Sequence, residues 1–254
     1  MKVGFIGMGN MASAIASGCM DANFLKVEDC YAYDIGTYKI AESYAIHATN
    51  SEKELVELVD VVILAIKPNV MESVLEKIKD SVQDKLIISI VTGYDCSRIE
   101  SFLPGSAHLT VMPNTPAMVS QGMTLLEAMH TFNEQQMEYA VSLFESIGEV
   151  VILPTYQMKG ATAISGCGPA FFYMMIEALA DGAVLQGVPR DIAYKLASQT
   201  MIGAGTMQLE TKIHPGVLKD NVCSPGGITI KGVKALEENG FRNAIIQAVE
   251  KSSN

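Results

Sequence analysis

Hydrophobic positions in the first half of the chain fall in short unbroken runs, each followed by a stretch of helical periodicity. Runs at Lys2–Ile6, Cys30–Tyr33, Val61–Ala65, Leu86–Ile90, Leu109–Met112 and Val150–Leu153 read as strands. They do not alternate with polar residues, which is the pattern of strands buried on both faces. Between them, Met11–Met20, Tyr38–Ala45 and Val70–Lys79 read as amphipathic helices. Strand–helix alternation of this length predicts an α/β fold with a doubly wound parallel sheet.

After Pro154 the pattern changes. Helical periodicity dominates, over Ala170–Gln186, Arg190–Leu209, Ile230–Asn239 and Arg242–Val249. Pro189 and Pro215 mark helix starts, and Gly187 and Gly240 mark stops. The expected division is a nucleotide-binding domain over 1–154 and an all-α domain over 155–254. Phe171-Phe172-Tyr173-Met174-Met175-Ile176 is apolar around the whole helix, so it must be buried on every side. A second copy of the chain, interlocked as a helical dimer, would bury it; the chain's own first half is the alternative. Glu177 and Asp181, one turn apart in this helix, are expected to reach a partner across that interface.

Composition narrows the function classes. The chain has 254 residues, 49% of them hydrophobic, enough for a sizeable core. Its net charge of −10, with no basic run, argues against nucleic acid. Cys19, Cys30, Cys96, Cys167 and Cys223 form no metal-ligand spacing, so no metal is expected. Odd and scattered, they suit reduced thiols in the cytoplasm. No uncharged apolar run reaches about 18 residues, so no membrane span is expected.

Gly7-Met8-Gly9-Asn10-Met11-Ala12 follows the first strand and opens a helix. This is G-x-G-x-x-A in its required context, and it predicts a dinucleotide site. Gly7 allows the tight turn, Gly9 admits a pyrophosphate, and Ala12 permits close helix–strand packing. Asp34 ends the second strand, where a carboxylate would accept hydrogen bonds from a ribose diol. That placement leans toward NADH; a solvated strand-end Asp is the plainer reading. No Arg adjoins it, and Lys39 is the nearest cation. Ala65-Ile66-Lys67-Pro68 ends the third expected strand, with Lys67 facing either the cofactor or solvent. Met112-Pro113-Asn114-Thr115-Pro116 is a stiff turn suited to wall a nicotinamide pocket. Asn50 is a weaker candidate on the adenine side.

Near the C-terminus, Ser224-Pro225-Gly226-Gly227-Ile228-Thr229 breaks two helical patterns. Glycines expose backbone N–H groups, and the next helix begins with unpaired ones. Gly226, Gly227, Ile228 and Thr229 therefore form a candidate cradle for a carboxylate, with the Thr229 hydroxyl in reach of a second polar atom. The plainer reading makes Thr229 a helix cap. His47, His108, His130 and His214 are scattered, and His214-Pro215 reads as a helix start. Two-domain hydroxyacid dehydrogenases use a lysine on the first long helix after the nucleotide domain; none occurs from Ser165 to Tyr194. A reductase without a strong acid suits a substrate already electrophilic and protonated, such as a cyclic iminium ion.

These residues carry a resemblance. Phe5-Ile6-Gly7-Met8-Gly9-Asn10-Met11, Ala65-Ile66-Lys67-Pro68, Met112 to Pro116, Ser165-Gly166-Cys167-Gly168-Pro169-Ala170, His214-Pro215-Gly216, Leu218 to Thr229 and Leu236-Glu237 resemble pyrroline-5-carboxylate reductase over nearly the whole length. The resemblance implies an N-terminal Rossmann-like domain, a C-terminal helical dimerisation domain, a site completed across the dimer and often a ring of dimers. It implies reduction of 1-pyrroline-5-carboxylate to proline with NADPH or NADH. Thr229 would bond the imine nitrogen, and Ser224 to Ile228 would hold the substrate carboxylate. Many members carry Ser, Arg or Lys after the second strand for a 2′-phosphate. Asp34-Ile35-Gly36-Thr37 departs from that pattern, which puts NADPH preference in question. Two rivals stay open: a reductase of another small cyclic imine carboxylate, and a non-catalytic dinucleotide-sensing dimer.

Overall fold

The computed structural model describes residues 1–36 and 45–253, in two compact units, Met1–Gly166 and Cys167–Asn254. In the first unit, β1 (Val3–Ile6), β2 (Cys30–Tyr33), β3 (His47–Ala48), β4 (Val61–Leu64), β5 (Leu86–Ser89), β6 (Ala107–Met112), β7 (Gly122–Glu127) and β8 (Gly148–Leu153) form one sheet. Its order is β3-β2-β1-β4-β5-β6-β7-β8. β1 lies between β2 and β4, with Val3 opposite both Cys30 and Val61. The first six strands are parallel, as in dinucleotide-binding sheets. β7 runs antiparallel to β6, and β8 follows β7 in parallel.

Helices cover both faces, which explains the unbroken apolar runs. On one face Val3, Phe5, Ile63 and Leu109 pack with Ile15 of α1 (Asn10–Asp21). On the other, Ile6, Val62 and Ile87 pack with Leu55 of α2 (Glu52–Leu58) and with α3 (Met71–Ile78). Met71, Leu75 and Ile78 of α3 are fully buried; such side chains contribute roughly 2 kcal/mol each. α4 (Cys96–Phe102) and α5 (Glu134–Glu145) complete the layers. Asn133 caps α5 with a reciprocal capping box to Gln136. The sequence pattern misses β3, which has two residues, and β7, whose direction reverses. The expected helix over 38–45 lies, but for Ala45, outside the described residues, as do Thr37 and Lys39.

Pro154 caps α6 (Thr155–Ser165). This helix packs on β7 and buries Met158 and Ala163, so the first unit continues past the last strand to Gly166.

The second unit holds α7 (Gly168–Leu185), α8 (Arg190–Thr211), α9 (Pro215–Asn221), α10 (Ile228–Glu238) and α11 (Phe241–Ser252). α7 and α8 pack together, burying the small residues Ala180, Ala193 and Ala197. Their large apolar residues point outward: Met174 is 70% exposed and Leu185 84%. Phe171, Met175, Leu179, Leu236, Phe241 and Ile245 line an apolar groove of about 490 Å³. Asp181 does not wait for a partner chain, because Arg190 of α8 meets it at 2.5 Å. By length and composition, the helical stretch Thr155–Leu185 suffices to cross a membrane, its most apolar 18-residue window having mean hydropathy 1.3 and being 22% buried. It is interrupted between Ser165 and Gly168 and carries Lys159, Glu177 and Asp181. A second helical copy is one surface that would bury these residues.

Leu179 stands in the groove at 53% exposure. Leu179→Glu is expected to convert dimers to monomers or aggregates at micromolar concentration, because the new charge has no partner there. Sedimentation velocity checks this; an unchanged dimer would remove the groove from the interface.

Candidate functional site

The carboxyl ends of β1, β2 and β4 meet around the loop from β1 to α1. Gly7 has φ of +92°, and a Cβ there would stand 2.5 Å from the Ala65 carbonyl oxygen. Only glycine fits this turn. The Gly7 N–H donates to the Tyr33 carbonyl at 2.8 Å, so the loop continues the β1–β2 ladder. Gly9 caps α1 without a side-chain bond, and a Cβ on it would meet nothing within 4 Å. That open space lies before the first amides of a helix, which have no partner within the helix. It is room for an anion, and it fits a pyrophosphate.

Asp34 is tied into the same loop. Its Oδ2 accepts from the Met8 N–H at 2.6 Å, and its Oδ1 accepts from the Gly36 N–H at 2.9 Å. The carboxylate thus clamps the glycine loop to the end of β2.

Beside the loop lies a cleft of about 600 Å³. Gly7, Gly9, Asp34, Ala65 and Lys67, all expected from the sequence, line it. So do Tyr33, Ile35, Ile66, Val70 and Val74, an apolar wall suited to an adenine ring, and Glu52, Asn69, Ser73 and Lys77. Sequence reasoning missed most of the second group. Val70, Ser73, Val74 and Lys77 follow i, i+3, i+4, i+7 spacing, the signal that could have found them. They mark one face of the helical segment, while Met71, Leu75 and Ile78 fill the core. Lys77 Nζ lies 2.7 Å from Glu52 Oε1.

Other expected residues lie outside the cleft lining. Met8 reaches Asp34 through its backbone. Asn10 and Met11 start α1, and Met11 packs against the core. Pro68 opens a 3-10 turn over Pro68–Val70. Asn50 donates from its backbone N–H and its Nδ2 to Glu54 Oε2, at 2.7 and 3.0 Å. Met112 ends β6. Asn114 is buried and acts as a structural clamp. Its Nδ2 donates to the Ser165 carbonyl at 2.8 Å, and its Oδ1 accepts from the Met123 N–H at 2.9 Å. The side chain so joins β6, β7 and α6.

In the second unit, His214 caps α9 by accepting the Gly216 N–H on Nδ1 at 3.1 Å. Ser224 to Gly227 form a hydrogen-bonded turn. The Ser224 carbonyl accepts the Gly227 N–H at 3.0 Å, Pro225 holds the second position and Gly226 has φ of +69°. Positive φ at the third position marks a type II turn. Gly227 then caps α10, and a Cβ on it would stand 2.4 Å from Ser224 Oγ. The turn consumes the Gly227 N–H, so the cradle expected over Gly226 to Thr229 loses that donor. The amides of Ile228 and Thr229, in the exposed first turn of α10, have no intrahelical acceptor.

Among the described residues, no group of three or more His, Cys, Asp or Glu could hold a metal ion. The five cysteines are free thiols. Burial pushes the Cys19 thiol up to about 12 and the Cys30 and Cys96 thiols up to about 11, so these three are neutral at physiological pH.

Asn114→Leu is expected to destabilise the first unit by about 2–4 kcal/mol, because it strands a buried N–H and a buried carbonyl. Urea unfolding measures this. A loss below about 0.5 kcal/mol would show that the clamp is not needed.

A family model described as pyrroline-5-carboxylate reductase dimerisation matches residues 155–254. Another, described as NADP oxidoreductase coenzyme F420-dependent, matches 2–93. The chain is 38% identical over 255 residues to pyrroline-5-carboxylate reductase of Escherichia coli K12, covering 98% of this chain and 95% of that one. It is 40% identical over 260 residues to the Methanosarcina acetivorans enzyme of the same name, covering 99% and 96%. Its fold matches the crystal structure of Plasmodium falciparum pyrroline carboxylate reductase with NADP bound, at TM-score 0.93 and 35% identity over 100% of this chain and 95% of that one. Whole-length identity of this order, with a glycine loop at one end and a Ser-Pro-Gly-Gly turn at the other, makes the chain a member of the pyrroline-5-carboxylate reductase family.

Proposed function

We propose that the chain reduces 1-pyrroline-5-carboxylate to L-proline with NAD(P)H, the last step of proline biosynthesis. The observation that carries this reading is the 38–40% identity to reductases of that name, spread over almost the entire chain. When bound, the dinucleotide supplies the hydride that the imine carbon accepts. The remaining work falls to the chain's own residues, chiefly binding and orientation.

Gly7, Met8, Gly9, Asn10 and Met11 form the pyrophosphate loop, and Asp34 holds it in shape. Ala65, Lys67 and Pro68 border the same ligand; Asn50, Met112 and Asn114 shape its surroundings. The substrate carboxylate takes the amides of Ile228 and Thr229, with the Ser224 to Gly227 turn setting their direction. The Thr229 hydroxyl bonds the ring nitrogen. An iminium ion is already electrophilic, so this chemistry calls for neither a strong acid nor a metal. The helical unit self-associates, and its exposed apolar faces support a dimer. A ring of such dimers, residing in the cytoplasm and apart from membranes, completes the proposal. Asp34 at the ribose end favours NADH.

The deciding assay follows oxidation of NADH and NADPH with five- and six-membered cyclic imine acids. The five-membered acid is expected to be preferred by a factor of about 10 or more, within the range one methylene confers. Equal or reversed preference would favour the six-membered substrate, and binding without turnover would favour a sensor. Thr229→Ala is expected to lower kcat/KM about 100-fold, the loss of one positioned hydrogen bond of about 2–3 kcal/mol. Near-normal activity would remove Thr229 from the mechanism. A kcat/KM for NADPH about tenfold above that for NADH would overturn the preference assigned to Asp34.

A further inference from the structure

The dinucleotide cleft carries charges of both signs. Asp34 lies in its wall at the end of β2, and Lys77 lies in the same wall on α3. Lys77 pairs with a carboxylate of unusual placement: the Glu52 side chain is only 9% exposed, while that of Lys77 is 53% exposed. A buried carboxylate at 2.7 Å holds a flexible ammonium at one point of the cleft rim. It occupies one of the three N–H donors of the ammonium and leaves the other two for a ligand. Ser73, one turn earlier on the same helix face, adds a hydroxyl to the rim. Asp34, by contrast, has both oxygens covered by the N–H groups of Met8 and Gly36. Amide donors on both oxygens offset its negative field toward an incoming anion.

We infer that Lys77, held by Glu52, is a specificity-determining residue for the adenosine end of the cofactor: its ammonium attracts a 2′-phosphate and offsets part of the repulsion of Asp34, so that the preference for NADH is smaller than Asp34 alone would impose. This rests on the dinucleotide-reductase reading above. Lys77 brings an ammonium to this cleft from α3, a different element from the strand end that carries Asp34. A phosphate carries close to two negative charges where NADH has a hydroxyl, so Lys77 acts on the difference between the two cofactors. An ordinary surface ion pair on an amphipathic helix would make no such distinction.

Calorimetric binding of adenosine 2′,5′-bisphosphate and of AMP to the full chain tests this without turnover. In Lys77→Met, the ratio of bisphosphate to AMP affinity is expected to fall about tenfold, and in Lys77→Arg to stay within about twofold. The double variant Glu52→Gln/Lys77→Met leaves no buried carboxylate unpaired, so it keeps the measurement valid if Lys77→Met folds poorly; it should show the same tenfold fall. The NADPH to NADH ratio of kcat/KM should fall in parallel. An unchanged affinity ratio in both Lys77→Met and the double variant overturns the inference. If the affinity ratio falls while neither cyclic imine acid is reduced, the reductase reading fails and the role of Lys77 stands.

Discussion

The bond from the Met8 N–H to the Asp34 carboxylate is the constraint on which the nucleotide end depends. It ties the loop after β1 to the end of β2 with a charge-assisted contact of 2.6 Å. Gly7 supplies the complementary constraint from the other side, since its backbone runs against the Ala65 carbonyl at the end of β4. Three neighbouring strand ends are thereby held around one open space. The sheet order that places β1 between β2 and β4 makes this possible. The chemistry of the cleft follows from that topology, because ligands of such sheets bind outside the carboxyl ends of the strands.

Much of this was legible in the sequence. Six strand positions could be read from unbroken apolar runs, which burial on both faces demands in the interior strands; β8, at the sheet edge, has such a run although none of its residues is buried. β3 could not, because two residues carry no periodicity, and β7 could not, because Gly122-Met123-Thr124-Leu125-Leu126-Glu127 fits helix and strand patterns alike. The glycine loop was legible because close backbone approach admits only one residue type. Asn114 was not: its Pro-bracketed turn points to a rigid wall, but only geometry reveals that its amide is spent on Ser165 and Met123. Glu52 and Lys77 were hidden for a related reason. Charged residues on amphipathic helices usually face solvent, and nothing in the local pattern says that one carboxylate is buried beneath its partner.

The two units solve the burial problem differently. The first packs helices on both faces of its sheet and builds from them a core of large apolar residues such as Phe5, Ile15, Leu55, Leu75 and Phe144. The second buries mainly alanines between α7 and α8 and turns Phe172, Met174 and Leu185 outward. The family model for dimerisation covers this unit, and self-association gives such outward apolar side chains a partner surface. The ion pair between Asp181 and Arg190 shows that Asp181 of α7 is accommodated within one chain.

The turn at Ser224 to Gly227 has a consequence for how this protein can change over evolutionary time. A side chain on Gly227 would strike the Ser224 hydroxyl, and one on Gly226 would have to adopt left-handed backbone. A substitution at Gly227 must move the Ser224 side chain, and one at Gly226 must bear the strain of left-handed backbone, so changes in this turn are coupled to their neighbours. New substrate preferences are more accessible elsewhere. Residues after Thr229 on α10 project from regular helix, where single substitutions leave the turn intact. The turn is therefore a segment where single substitutions carry a backbone or steric cost, while the exposed helix after it carries none of that kind.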